Sequence, residues 1–318
     1  MKVSSLKAVI GAVGLAAAAA VSVAAAPAPQ VSITVKDLTP KFLTFYRTAS
    51  ATHPGPDARF ELWKRDYGFA AVPPTPDGDA IARRLLDKAW PDYPPLIGRI
   101  EKGATGIEPS PETSLRRVAA LLRPETPVHI TLLAYVGAME GNAFTMGQDG
   151  KATVAVPVEQ SPRERGPIMA HEFTHAVQIV MGTNSGGWVR SVGETAVAEG
   201  LAMRVAQRLY PDRPAASFVE MPDEPGWLNR ANGRRRQILM DVRAAAASSS
   251  SDDVMRFTMG TGPAGFHREA YYVGWLVTGY WLSHGRSLAD IARIPESRAP
   301  AEVTAAVEAL LAQPHPAS

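Results

Sequence analysis

His171-Glu172-Phe173-Thr174-His175 is the stretch on which the reading of this 318-residue chain turns. On a helix, residues four apart lie on one face about a turn apart, so both imidazoles can reach a single ion. Glu172 follows the first histidine and can lean toward a water on that ion. Zinc brings the pKa of such a water toward ~7, and a carboxylate within hydrogen-bond reach can take its proton as the oxygen attacks a peptide carbonyl. The spacing therefore predicts one Zn2+ per chain, with His171 and His175 as ligands and Glu172 as general base. Pro167 is expected in the first turn of this helix, with Ile168, Phe173, Ala176, Ile179 and Val180 at helical spacing and Gly182 or Gly186-Gly187 as the stop.

A catalytic zinc site needs a third protein ligand and leaves the fourth position to water. The segment Ser191 to Leu209 (SVGETAVAEGLAMRVAQRL) is a helical pattern with two candidates, Glu194 and Glu199. Five residues apart, they point about 140° apart on a helix, so they are not equivalent. Spacing alone leaves the choice between them open.

Hydrophobic residues make up 46% and charged residues 20% of the chain, which suits a globular protein with a sizeable core. Residues 1–26 differ: Lys2 and Lys7 precede an Ala/Val-rich run from Ala8 to Val23, with small residues at Ser22, Ala24 and Ala26. This reads as a secretory signal peptide, so the protein is expected to be exported, periplasmic or secreted, without stable membrane insertion after its removal. An uncleaved anchor is the competing reading, and the small-residue end with no basic stop favours cleavage. With no cysteine in the chain, neither a disulfide framework nor lipid attachment through Cys is available. The formal charge of +2 comes from 33 basic and 31 acidic residues, and losing Lys2 and Lys7 leaves 31 of each sign. That balance excludes a general nucleic-acid footprint, and Arg234-Arg235-Arg236 reads as a solvated helix face.

Along the chain, residues 27–126 read as an N-terminal helical region, with helical spacing over 39–50, 57–69, 79–90 and 111–123. Residues 127–212 hold the core. Val128 to Val136 and Thr153 to Val158 have strand composition, and Asp149-Gly150 predicts a hairpin pairing 143–146 with 151–156. An extended peptide can add itself to a free sheet edge there. Residues 213–318 form a C-terminal helical lobe, in which Arg268 to Ser283 is too short and too rich in Tyr for a comfortable membrane span and is expected to lie buried beside the site. The predicted fold is α+β, mostly helical, with a small, mainly antiparallel sheet beside the zinc-binding helix, zincin-like by analogy.

Two resemblances attach to these residues. HEFTHAV differs by one residue from the His-Glu-Leu-Thr-His-Ala-Val of the thermolysin family's zinc helix, and Asn142-Ala143-Phe144 resembles that family's substrate-binding edge strand. The family's third-ligand motif, Asn-Glu-x-x-Ser-Asp, is absent, although Glu194 falls at a compatible distance. Glu199-Gly200-Leu201-Ala202 and Tyr271-Tyr272-Val273-Gly274 resemble the Glu-Gly-Leu-Ala and Tyr-x-x-Gly of bacterial predicted zinc-dependent proteases of the gluzincin clan. That resemblance implies Glu199 as the third ligand and Glu194 as a capping or supporting acid, while the thermolysin resemblance implies Asn142, Ala143 and Phe144 as substrate-binding residues. An oxyanion donor besides zinc is also needed. Tyr271, Tyr272 and His267 are the candidates, and Tyr271 is the one assigned.

The expected activity is hydrolysis of peptide bonds in a peptide or protein substrate. The alternative is a zinc-bound, catalytically inactive binding or regulatory module of the cell envelope. Intact Glu172 argues against it, because a purely structural site needs no base and usually closes its fourth position.

Overall fold

The computed structural model describes residues 29–72, 75–187, 190–221 and 224–313. Residues 1–26, read from the sequence as a signal peptide, lie outside the described residues. Four strands form one sheet: β1 (Val31–Asp37), β2 (Val128–Tyr135), β3 (Phe144–Gln148) and β4 (Lys151–Pro157), in the order β1-β2-β4-β3. The β3–β4 hairpin turns at Asp149 (φ 51°) and Gly150 (φ 71°), the left-handed pair that the sequence signalled.

The sheet is mixed, which corrects the expectation of a mainly antiparallel one. Only β3–β4 is antiparallel, while β1–β2 and β2–β4 are parallel. Strand composition and alternation carry no information on pairing direction. Direction is set by crossovers, and here the helical stretch 39–122 returns the chain to lay β2 along β1. β1 itself was missed as a strand; its Val31, Ile33 and Val35 alternate with polar residues beside a region that otherwise reads as helical.

Alternation along β2 divides the core. Ile130, Leu132 and Ala134 belong to the main cluster with Met169, Phe173, Ala176 and Val177 of the helix Pro162–Val180, hereafter the motif helix. Leu133 and Tyr135 point the other way, into a small cluster with Ala155, Phe144 and Phe69. The N-terminal helices pack an aromatic group (Phe42, Phe45, Tyr67, Trp90, Tyr93) into the main cluster. The hydroxyls of Tyr67 and Tyr93 donate to the carbonyls of Val136 and Gly137, both at 2.9 Å, which fixes the chain as it leaves β2.

The motif helix begins five residues earlier than expected. Ser161 and Glu164 form a capping box and Pro162 takes the first turn, so Pro167 lies inside the helix. A proline there offers no N–H to the carbonyl four residues back. That carbonyl, on Arg163, instead accepts from the Arg213 guanidinium. Among the described residues, no helix is long and apolar enough to cross a membrane.

Candidate metal centre

Two capped helices position the site. The motif helix presents His171 and His175 one turn apart and ends at Val180, with Gly182 at φ 71° just beyond it. The second helix, Val192–Leu209, starts on another capping box, in which Glu194 accepts from the Ser191 backbone N–H at 2.5 Å and donates its own N–H to the Ser191 hydroxyl at 3.1 Å. Glu194 is thus committed to holding the helix start. Glu199, on another side of the same helix, reaches the histidines.

Glu199 Oε2 lies 3.0 Å from His171 Nε2 and 3.5 Å from His175 Nε2, and the two Nε2 atoms are 3.1 Å apart. Three ligands about 2.0–2.1 Å from a tetrahedral centre are separated by roughly 3.3 Å from one another. The triangle matches that spacing, so these three residues can hold a metal ion. The site is buried: His175 is 8% and Glu199 6% exposed. Burial alone would raise the Glu199 carboxyl, but the charges and hydrogen bonds of His175 and His171 outweigh it and hold it well below the usual carboxylate range. It stays ionised, as a ligand must.

Glu172 is excluded from the triangle and equally buried, at 8% exposed. Burial pushes its carboxyl up to about 7, against the pull of His171 and of a hydrogen bond from Thr145. Thr145 Oγ1 lies 2.7 Å from Glu172 Oε2, and 3.0 Å from the Glu172 carbonyl oxygen. Thr145 stands on β3 and was not anticipated, since nothing in a lone Thr after Phe144 marks it.

The three oxyanion candidates separate. The half-buried Tyr271 carries the Arg268 guanidinium 3.7 Å above its ring. Its hydroxyl is pushed up to about 12 by burial and by the charge of Glu199, so it keeps its proton and can donate. Tyr272 is fully buried and its hydroxyl already donates to Asn232 Oδ1 at 2.7 Å. His267 is exposed and paired with Glu224 at 2.5 Å.

β3 is the outer strand of the sheet. At Gly147 its face toward the motif helix lies against the backbone of Ser185 and Gly186. The side chain of Phe144 packs with Tyr135 and Phe69 on the face away from the motif helix, and the Asn142 carbonyl accepts from the Tyr135 hydroxyl. Ala143 is buried. Asn142, Ala143 and Phe144 therefore lead into the outer strand, with the side chain of Phe144 turned away from the triad.

The chain matches no protein-family model, no curated protein sequence and no solved structure.

Proposed function

We propose that this protein is a zinc-dependent metallopeptidase, exported from the cell, acting on a peptide or protein substrate. The observation that carries the reading is the buried triangle of two imidazole nitrogens and one carboxylate oxygen, with a second buried carboxylate, Glu172, beside it and outside it. Two nitrogens and one oxygen in tetrahedral spacing suit zinc, and three protein ligands leave a position for chemistry. A purely structural site has no use for the extra acid.

Bound zinc would supply a Lewis acid that polarises the scissile carbonyl and makes water acidic near neutral pH. Glu172 would take the proton of the attacking water and pass it to the leaving amine. The Tyr271 hydroxyl, protonated at neutral pH, would donate to the developing oxyanion. The outer strand β3 would align the substrate backbone as an added strand.

The test is digestion of a peptide library by the purified protein, with and without a chelator, followed by zinc restoration. Cleavage that the chelator removes and zinc restores is the expected result. Identical peptide profiles in all three conditions would sink the reading.

A further inference from the structure

We infer that Thr145 is a positioning residue for Glu172, fixing the carboxylate from the very strand on which a substrate would lie. The inference rests on the peptidase reading above and extends it to a residue outside both sequence motifs. Thr145 Oγ1 sits 2.7 Å from Glu172 Oε2 and 3.0 Å from the carbonyl oxygen of the same residue. A hydroxyl has one proton to give. Of the two acceptors the carboxylate oxygen is the nearer, at the ordinary length of an O–H···O bond, and the backbone carbonyl is the farther. The bond ties Oε2, and among the described residues Oε1 has no hydrogen-bond partner.

A glutamate on a helix turns about three side-chain torsions, so proximity to the metal ligands does not by itself aim its carboxylate. Two neighbours limit it here: the helix carries its Cα, and Thr145 holds its tip. Thr145 pairs with Val154 of β4 on one side, and β3 is the outer strand on the other. The same backbone segment that would align the peptide therefore also aims the base. Alternation along β3 accounts for the geometry, since Phe144 faces the far cluster and Thr145 faces the motif helix.

Thr145→Val keeps the shape and removes the hydroxyl, and Thr145→Ser keeps the hydroxyl. Each is measured for zinc content, kcat, KM and thermal midpoint, alone and with Glu172→Gln. The expected result for Thr145→Val is full zinc, KM within about twofold, and kcat lower by on the order of 10- to 100-fold, the cost of a loosely aimed group. Thr145→Ser should restore kcat, and Thr145→Val should add no further loss in the Glu172→Gln background. In the metal-free protein, thermal midpoints of wild type, Thr145→Val, Glu172→Ala and the double variant should be non-additive, since Ala removes the acceptor of the Thr145 hydroxyl. Unchanged kcat in Thr145→Val, an equal loss in Thr145→Ser, or additive midpoints would overturn the inference while leaving the peptidase reading intact. A wild type that binds zinc and cleaves no peptide would remove the peptidase reading and the positioning role with it.

Discussion

Gly200 and Gly274 meet where the helix of Glu199 crosses the helix Glu269–Ser283, so closely that a Cβ on either would overlap backbone of the other helix: Gly200 faces the Gly274 carbonyl, and Gly274 faces that of Ala196. Glu199 directly precedes one glycine and Tyr271 stands one turn before the other. The crossing thus sets the ligand helix against the helix of the proposed oxyanion donor. Gly200→Ala and Gly274→Ala should each destabilise the fold by about 1–3 kcal/mol, because rigid backbone has nowhere to yield. Thermal midpoints check this. Substitution of exposed Gly233, which has open space around it, should cost far less.

The ligand set predicts a pattern in metal content. His171→Ala, His175→Ala and Glu199→Ala should each lose the ion, while Glu194→Ala should keep it. The last variant loses its half of a capping box instead and should be less stable by about 1 kcal/mol. Elemental analysis beside thermal melts separates the two kinds of loss. Retention of zinc by Glu199→Ala would remove the triad.

Glu172→Gln should keep zinc and the fold but lower kcat by at least about 100-fold, the usual contribution of a general base. Gln still accepts the Thr145 hydrogen bond, so the loss would report proton transfer rather than a disturbed site. Steady-state kinetics with metal content on the same sample decides it.

Glu159 makes a pH prediction remote from the metal. It is 3% exposed; one carboxylate oxygen accepts from the Gly137 N–H at 3.0 Å, and the other has no partner among the described residues. Burial pushes its carboxyl from 4.5 up to about 7. Between those values the unfolded chain gives up the proton and the folded protein keeps it, so folding stability should fall as pH rises. The contribution is present in full below about 4.5 and is lost as pH passes 7, with a total on the order of 3 kcal/mol. Glu159→Gln should flatten that slope, as denaturant midpoints from pH 4.5 to 8 would reveal.

What could be read from the sequence was local. The histidine pair, the Asp149-Gly150 turn and the helix Glu269–Ser283 depend on residues within a few positions of one another, and each stands where the pattern put it. Choosing Glu199 over Glu194 took a resemblance in the sequence; in the structure the capping box occupies Glu194 and the triangle contains Glu199. Features that depend on distant partners were not legible. β1 is a strand because β2 lies beside it, Pro167 is tolerated because Arg213 reaches the orphaned carbonyl, and Thr145 matters through a side chain 27 residues on. No local period encodes any of these.

The parallel pairing of β1 with β2 bears on how the chain folds. Ser32 stands opposite His129 across 97 residues, and its hydroxyl is 2.9 Å from that ring. A contact between such distant positions bears a loop-closure penalty before it returns any pairing energy, and contacts of this kind slow folding. The intervening helices fill that loop, and forming them first would shorten the search. Loosening them, for example by replacing Phe42 at the centre of their aromatic group, should therefore slow formation of the sheet as well as weaken the helices themselves. The first strand of the chain would be among the last to find its place.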